Sequence, residues 1–187
     1  AAVMLDKAIT ELTDEGEIIT EYTNRIKIFT RQGKKNYGEI RIPFSSELES
    51  ITLKTARTIN PDGNVIEAGE DSIKVTTHPV AKNAPMYSDI KLKIISMPAL
   101  KKGSIIEYSY TRTAQPLMEN ELFTNWFFKS SAPVIKSDFT VKVPENEKLN
   151  YKSINGDFSP EISSKNNYTI YRWTAENLEK IYNESGR

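Results

Sequence analysis

Apolar and polar residues alternate with a period of two through most of this chain. Arg25-Ile26-Lys27-Ile28 puts two isoleucines on one side and two cations on the other. Ile90-Lys91-Leu92-Lys93-Ile94, Ile51-Thr52-Leu53-Lys54 and Phe139-Thr140-Val141-Lys142-Val143 do the same. Ile106-Glu107-Tyr108-Ser109-Tyr110 repeats the pattern with aromatics, and Tyr168 to Trp173 forms a last aromatic strand. A strand turns successive side chains to opposite faces, so this pattern suits antiparallel strands with one dry face and one wet face. The opening Asp6 to Thr13 is read as a strand as well.

Turn chemistry separates the runs. Asn60-Pro61-Asp62-Gly63-Asn64 is the clearest case, because proline presets φ and glycine supplies positive φ without steric cost. Arg31-Gln32-Gly33-Lys34 predicts a hairpin, Leu100 to Gly103 a turn before a strand, and Asn155-Gly156-Asp157 a hairpin tip. Helical composition is confined to Ala175 to Tyr182, with Thr174 as its cap. Ten or more such strands in one open sheet would leave an apolar face wet, so they predict two stacked sheets. The fold expected is all-β, a two-layer antiparallel β-sandwich with few or short helices. One domain is expected over 1–174, with 175–187 as a linker or tail. Val143-Pro144 ends a strand, after which a smaller sub-sheet could form.

Composition narrows the chemistry. The 187 residues carry 25 basic and 25 acidic side chains, so no field of one sign favours nucleic acid. Lys34-Lys35 and Lys101-Lys102 read as solvated charges beside turns. No apolar run approaches the roughly 18 residues of a membrane-spanning helix. The absence of cysteine removes disulfides, thiolate metal sites and thiol nucleophiles. It is compatible with the cytoplasm and with a bacterial envelope compartment. The first residues read as structured sequence with no secretory leader among them, which leaves room for a leader removed upstream.

His78, the single histidine, lies in the polar stretch Thr76-Thr77-His78-Pro79 and reads as a loop residue. Glu119 and Glu121 near Trp126 are the best carboxylates beside an aromatic, though loop charges are their ordinary role. Asp62 is read as bonding its own turn. Asp14, Glu15 and Glu17 around Gly16 do not have calcium-loop spacing and read as a solvated turn. No catalytic, cofactor or metal residue is assigned. The aromatic cluster Phe123-Thr124-Asn125-Trp126-Phe127-Phe128 stays open between two readings. Phe123, Trp126 and Phe127 are candidates for an exposed surface that stacks on a sugar or grips a protein. Equally, Phe123, Trp126 and Phe128 could be core residues of a strand spanning the two sheets. Tyr108, Tyr110, Tyr171 and Trp173 are expected in the core.

Several segments together carry a family resemblance. They are Ala2-Val3-Met4-Leu5, Arg25 to Gly33, Ala56-Arg57-Thr58-Ile59-Asn60-Pro61-Asp62-Gly63, Met97 to Tyr108 and Phe127 to Val134. The chain resembles the domain of unknown function that precedes transglutaminase-like, papain-like domains in bacterial proteins, notably of Bacteroidetes. The resemblance implies a β-sandwich, a periplasmic, envelope or secreted location, and a following domain with a Cys-His-Asp arrangement. It assigns no catalytic residue to this domain. The expectation is a non-catalytic accessory domain, not an enzyme by itself, that positions or presents substrate to a downstream transglutaminase-like peptidase domain. The alternative is an independent carbohydrate- or protein-binding module. An enzyme built on paired carboxylates is the third reading.

Overall fold

A computed structural model describes residues 1–83, 89–116, 118 and 121–182. Eleven strands appear in order: β1 (Ala2–Leu12), β2 (Ile18–Lys27), β3 (Glu39–Ser45), β4 (Glu49–Ile59), β5 (Val65–Glu67), β6 (Ile73–Thr77), β7 (Ile90–Ser96), β8 (Ile105–Ala114), β9 (Val134–Pro144), β10 (Glu161–Lys165) and β11 (Tyr168–Leu178). Two short helices, α1 (Arg31–Tyr37) and α2 (Val80–Asn83), and one 3-10 turn at Glu70–Ser72 interrupt them. The strands form an eight-stranded sheet, ordered β10-β11-β9-β1-β2-β8-β4-β5, and a three-stranded sheet, ordered β3-β7-β6. The chain is all-β with two sheets, as the alternation predicts. β10 and β11 join the large sheet, so no sub-sheet forms after Pro144.

Register shows how the core is laid out. Directly paired residues share a face. Leu53, Tyr110, Tyr22, Ala8, Phe139 and Trp173 therefore form one row across six strands. A parallel row runs Thr58, Ile106, Ile26, Val3 and Val134. Both rows belong to the inner face, which carries two core clusters. The three-stranded sheet covers the first, bringing Ile40, Ile42 and Ile95 onto Ile26, Ile106 and Val3. The second, around Ala8, Phe139, Val141, Tyr171 and Trp173, is covered by irregular segments that contribute Leu122, Trp126, Phe128, Leu149 and Phe158.

One pairing departs from the antiparallel expectation. β1 and β9 are parallel, whereas β1–β2 and β2–β8 are antiparallel. Hence β8, β1 and β9 all run the same way. The connection from β8 to β9 must return the full strand length, which no tight hairpin can do. Residues 115–133 make this crossover. Such a return is ordinarily a helix; here part of it is a strap without helix or strand pairing, lying on the inner face.

Three local expectations are corrected. Arg31 to Lys34 is the start of helix α1, which carries the chain from the large sheet to the small one. Thr30 caps it: its side chain accepts from the Gly33 N–H at 3.0 Å, with Thr30 at φ −136° and ψ 163°. Gly33 is a packing glycine, since a Cβ there would stand 3.3 Å from Ala1. Residues 175–178 are strand, not helix, because Ala175, Glu176 and Leu178 pair with Ser137, Lys136 and Val134 of β9. That tertiary ladder overrides a weak helical propensity. Asn155 and Gly156 bend an irregular segment rather than close a hairpin. The hairpin after β10 closes at Asn166-Asn167, both with positive φ (53° and 65°), as a two-residue turn matching strand twist demands. The Pro-Asp-Gly turn forms as read: Gly63 has φ 86° and joins β4 to β5.

Candidate functional site

The strap over residues 121–130 repeats the strand period without a sheet. Leu122, Thr124, Trp126, Phe128 and Ser130 are half-buried; Glu121, Phe123, Asn125, Phe127 and Lys129 are exposed. No strand or helix is assigned there. The inward residues explain why it adheres. Trp126 stacks on Phe139 with ring centroids 5.1 Å apart and planes at 1°, and lies 6.1 Å from the Tyr22 ring. Its Nε1–H donates to Ser137 Oγ at 2.8 Å. Phe128 stacks on Phe158 at 4.4 Å. The outward residues have no such role. Phe123 is 90 % exposed and Phe127 76 %. In a chain rising about 3.3 Å per residue they stand about 13 Å apart on one side.

The aromatic cluster is thus divided. Trp126 and Phe128 face the core without belonging to a strand, and Phe123 and Phe127 form a surface. Trp126 is not a free platform, because its ring face and its N–H are both engaged. Tyr108, Tyr171 and Trp173 are buried and Tyr110 packs against the first cluster.

Beneath the strap runs a polar row that the sequence reading did not single out: Tyr108, Asn24, Asp6 and Ser137, paired in register across β8, β2, β1 and β9. Asp6 Oδ1 accepts from Tyr22 Oη at 2.6 Å and from Asn24 Nδ2 at 2.9 Å. Burial raises the Asp6 carboxyl above its ordinary value, and the two hydrogen bonds offset part of that. Burial, then the nearby Tyr108 and Asp6, raise the Tyr22 phenol. Asn24 is only 5 % exposed, and its Oδ1 has no partner among the described residues. Flipping the amide would aim that oxygen at the Asp6 carboxylate, so the orientation follows from repulsion. The signal that finds this row is parity: Asp6 falls in step with inward Ala8 and Leu12 of β1.

The outer face of the large sheet holds cross-strand ion pairs. Glu107 on β8 bridges Arg25 on β2 and Arg57 on β4, the latter at 2.6 Å. Burial favours the neutral acid at Glu107, but hydrogen bonds from both guanidinia outweigh it and hold the carboxyl below the usual range. Arg172 holds Asp138 low in the same way, with contacts of 2.6 and 3.1 Å.

The remaining candidates take ordinary places. His78 lies in the loop just after β6, and its Nδ1 accepts from the Val80 N–H at 3.2 Å. Asp62 Oδ1 accepts from the Asn64 N–H at 3.1 Å, which lowers its carboxyl. Asp14, Glu15 and Glu17 lie around the β1–β2 turn, where Thr13 Oγ1 accepts from the Glu17 N–H at 3.1 Å. Among the described residues no three acidic or histidine side chains converge as a metal site. Glu121 is exposed on the strap; Glu119 lies outside the described residues.

Fold and site define an all-β domain with one sheet covered jointly by a smaller sheet and an aromatic strap. Residues 14–182 match DUF3857, a family described as a domain of unknown function with solved structure, and the chain belongs to that family. No curated protein matches it. Among solved structures it is similar to one described as a "putative protease from Parabacteroides distasonis", with a TM-score of 0.92 at 18 % identity. The match covers 98 % of this chain and 37 % of that one, so the chain spans little more than a third of that protein. At this identity the likeness establishes a shared fold.

Proposed function

We propose that this chain is a non-catalytic presenting module, with no hydrolytic activity of its own, whose strap face meets a polypeptide handled by a longer protein. In that reading a neighbouring transglutaminase-like peptidase domain performs the chemistry, and the whole protein works in the cell envelope. The observation that carries the reading is the outward exposure of Phe123 and Phe127 on a strap whose inward residues Leu122, Trp126 and Phe128 pack on the core. Exposed aromatics of this kind mark contact surfaces. Support also comes from the Parabacteroides distasonis protein, described as a "putative protease", which contains this fold as 37 % of its length. The segment after β11 runs beside the strap, with the Ile181 N–H donating to Ser130 O at 2.8 Å.

The test is an activity assay on the purified chain with casein, blocked peptide amides and oligosaccharides. No turnover above buffer is expected. Turnover that follows the protein through successive columns and disappears on a single substitution refutes the reading. The binding-module alternative draws on the same two phenylalanines. Glycan binding lost in Phe123→Ala and Phe127→Ala would favour it.

A further inference from the structure

We infer that the strap is an acceptor strand, and that what it takes up is an extended polypeptide added edge-on by backbone hydrogen bonds. The inference rests on the presenting role proposed above, and names the chemical class of what is presented.

Three observations lead here. First, the strap has the side-chain period of a strand, yet its only backbone–backbone bonds among the described residues lie at its two ends. The Glu121 N–H donates to Met118 O at 3.2 Å, and Ser130 O accepts from Ile181. Residues 122–129 therefore offer a run of main-chain donors and acceptors with no backbone partner. A repeating run of such main-chain groups is matched in register by another peptide backbone, as in strand addition, and not by an apolar surface. Second, three of the four sheet edges, β10, β5 and β3, are blunted in the usual ways, and the fourth, β6, has only five residues with Lys74 among them. β10 is short and exposed along its length, with Glu161 and Lys165 at its ends. β5 has three residues. β3 carries Pro43, which has no N–H to offer, and the Pro43 carbonyl accepts from Arg112 at 2.8 Å. The strap has neither proline nor glycine from 121 to 130, and its two charges sit at Glu121 and Lys129. Third, Phe123 and Phe127 point outward from this backbone, where alternate apolar side chains of an added strand would meet them. Three paired strands cover one core cluster, whereas the strap and the irregular segment bearing Leu149 and Phe158 cover the other without strand pairing, so an added strand extends a layer already begun.

The probe is a short capped peptide of alternating valine and threonine, flanked by lysines and carrying a fluorophore. A matched peptide has N-methyl groups on alternate residues, which keeps its side chains but blocks the ladder. Fluorescence polarisation should give saturable binding of the first, and binding of the second weaker by at least about tenfold. Hydrogen exchange read by mass spectrometry should show new protection over 121–130. Phe123→Ala with Phe127→Ala should weaken binding by about tenfold or more while leaving the circular dichroism spectrum unchanged. Equal binding of the two peptides overturns the inference, as would an absence of binding or protection elsewhere in the chain. Any of these results leaves the presenting role standing if the chain proves inactive as a hydrolase. Hydrolysis of the peptide by the chain alone would instead remove that role, whatever the mode of binding.

Discussion

Removing the Trp126 anchor tests how the strap is held. Trp126 contributes through ring burial against Phe139 and Tyr22, and through its bond to Ser137, a residue with no exposed surface. Truncating a fully buried tryptophan to alanine costs about 3–5 kcal/mol. Trp126 is half-buried, so about 2–3 kcal/mol is expected for Trp126→Ala. Trp126→Phe keeps most of the stacking and removes the donor, leaving the Ser137 hydroxyl buried with its bond lost, at a cost of about 1–2 kcal/mol. Ser137→Ala removes the acceptor and should cost about 1 kcal/mol. The double variant Trp126→Phe/Ser137→Ala should cost less than the sum, by a coupling of about 0.5–1.5 kcal/mol. Urea unfolding followed by far-UV circular dichroism gives all four values. A domain stable by about 5–15 kcal/mol remains folded through the series. Strict additivity, or a Trp126→Ala loss below about 0.5 kcal/mol, would mean the strap is not anchored through this residue.

Two further predictions concern pH and have opposite signs. The folded Glu107 carboxyl titrates below its unfolded value, so its contribution is present above about pH 4.5 and lost as pH falls through the lower folded value. Its guanidinium partners Arg25 and Arg57 are 44 % and 37 % exposed, so solvent screening discounts the pair, and Glu107→Gln should cost about 1–2 kcal/mol at neutral pH. That deficit should shrink on acidification in melting curves; a deficit independent of pH would show that charge plays no part. Asp6 titrates above its unfolded value of 3.8, so its contribution is full below that pH and is lost as pH rises through the folded value. Asp6→Asn keeps an acceptor for Tyr22 and Asn24 without the desolvated charge. Its melting temperature should gain on the parent's as pH rises; a relative loss on going alkaline contradicts the assignment.

Features that depend on neighbours in sequence were readable from it. The Asn60–Asn64 turn follows from proline and glycine a few residues apart, and alternation located the core faces of β2, β8 and β9; in β7 it marked Leu92 and Ile94, whereas Ile95, paired with Ile40, enters the core between the sheets. Helix α1 is also a local matter: its signal is the Thr30 cap three residues before Gly33, a glycine that packs inside the helix against Ala1 rather than turning a hairpin. What pairs with what is different. The parallel β1–β9 ladder, the partition into eight and three strands, and the extension of β11 to Leu178 depend on partners far along the chain. The strap shows this limit most clearly. Its period of two separates half-buried Trp126 and Phe128 from exposed Phe127, a division the two open readings of the cluster did not draw. The same period says nothing about whether a neighbour will supply hydrogen bonds, so a strand and an unpaired strap look alike. That period does set Phe123 in step with Phe127 and against Trp126 and Phe128, so a core reading that groups Phe123 with those two breaks the alternation.

The two faces of the large sheet solve different problems, and this confines where a partner can be recognised. Its outer face sets charged side chains opposite one another, Arg25–Glu107–Arg57 on one side and Asp138–Arg172 and Glu11–Lys142 on the other. A partner docking there would have to desolvate guanidinia already satisfied by carboxylates, and such pairs return little on burial. The inner face is committed to the two core clusters. Of the large sheet's surroundings this leaves the layer above the second cluster, which the crossover from β8 to β9 and the segment bearing Leu149 and Phe158 fill without strand pairing. Since β8 and β9 are separated by β2 and β1, the crossover must cross two strands, and its inward side chains are consumed in doing so. Its outward side chains are free of that duty, yet two of the five are phenylalanines. Solvation alone would favour polar residues at these positions, as at Glu121, Asn125 and Lys129. The bias at 123 and 127 is therefore best accounted for by something that covers them.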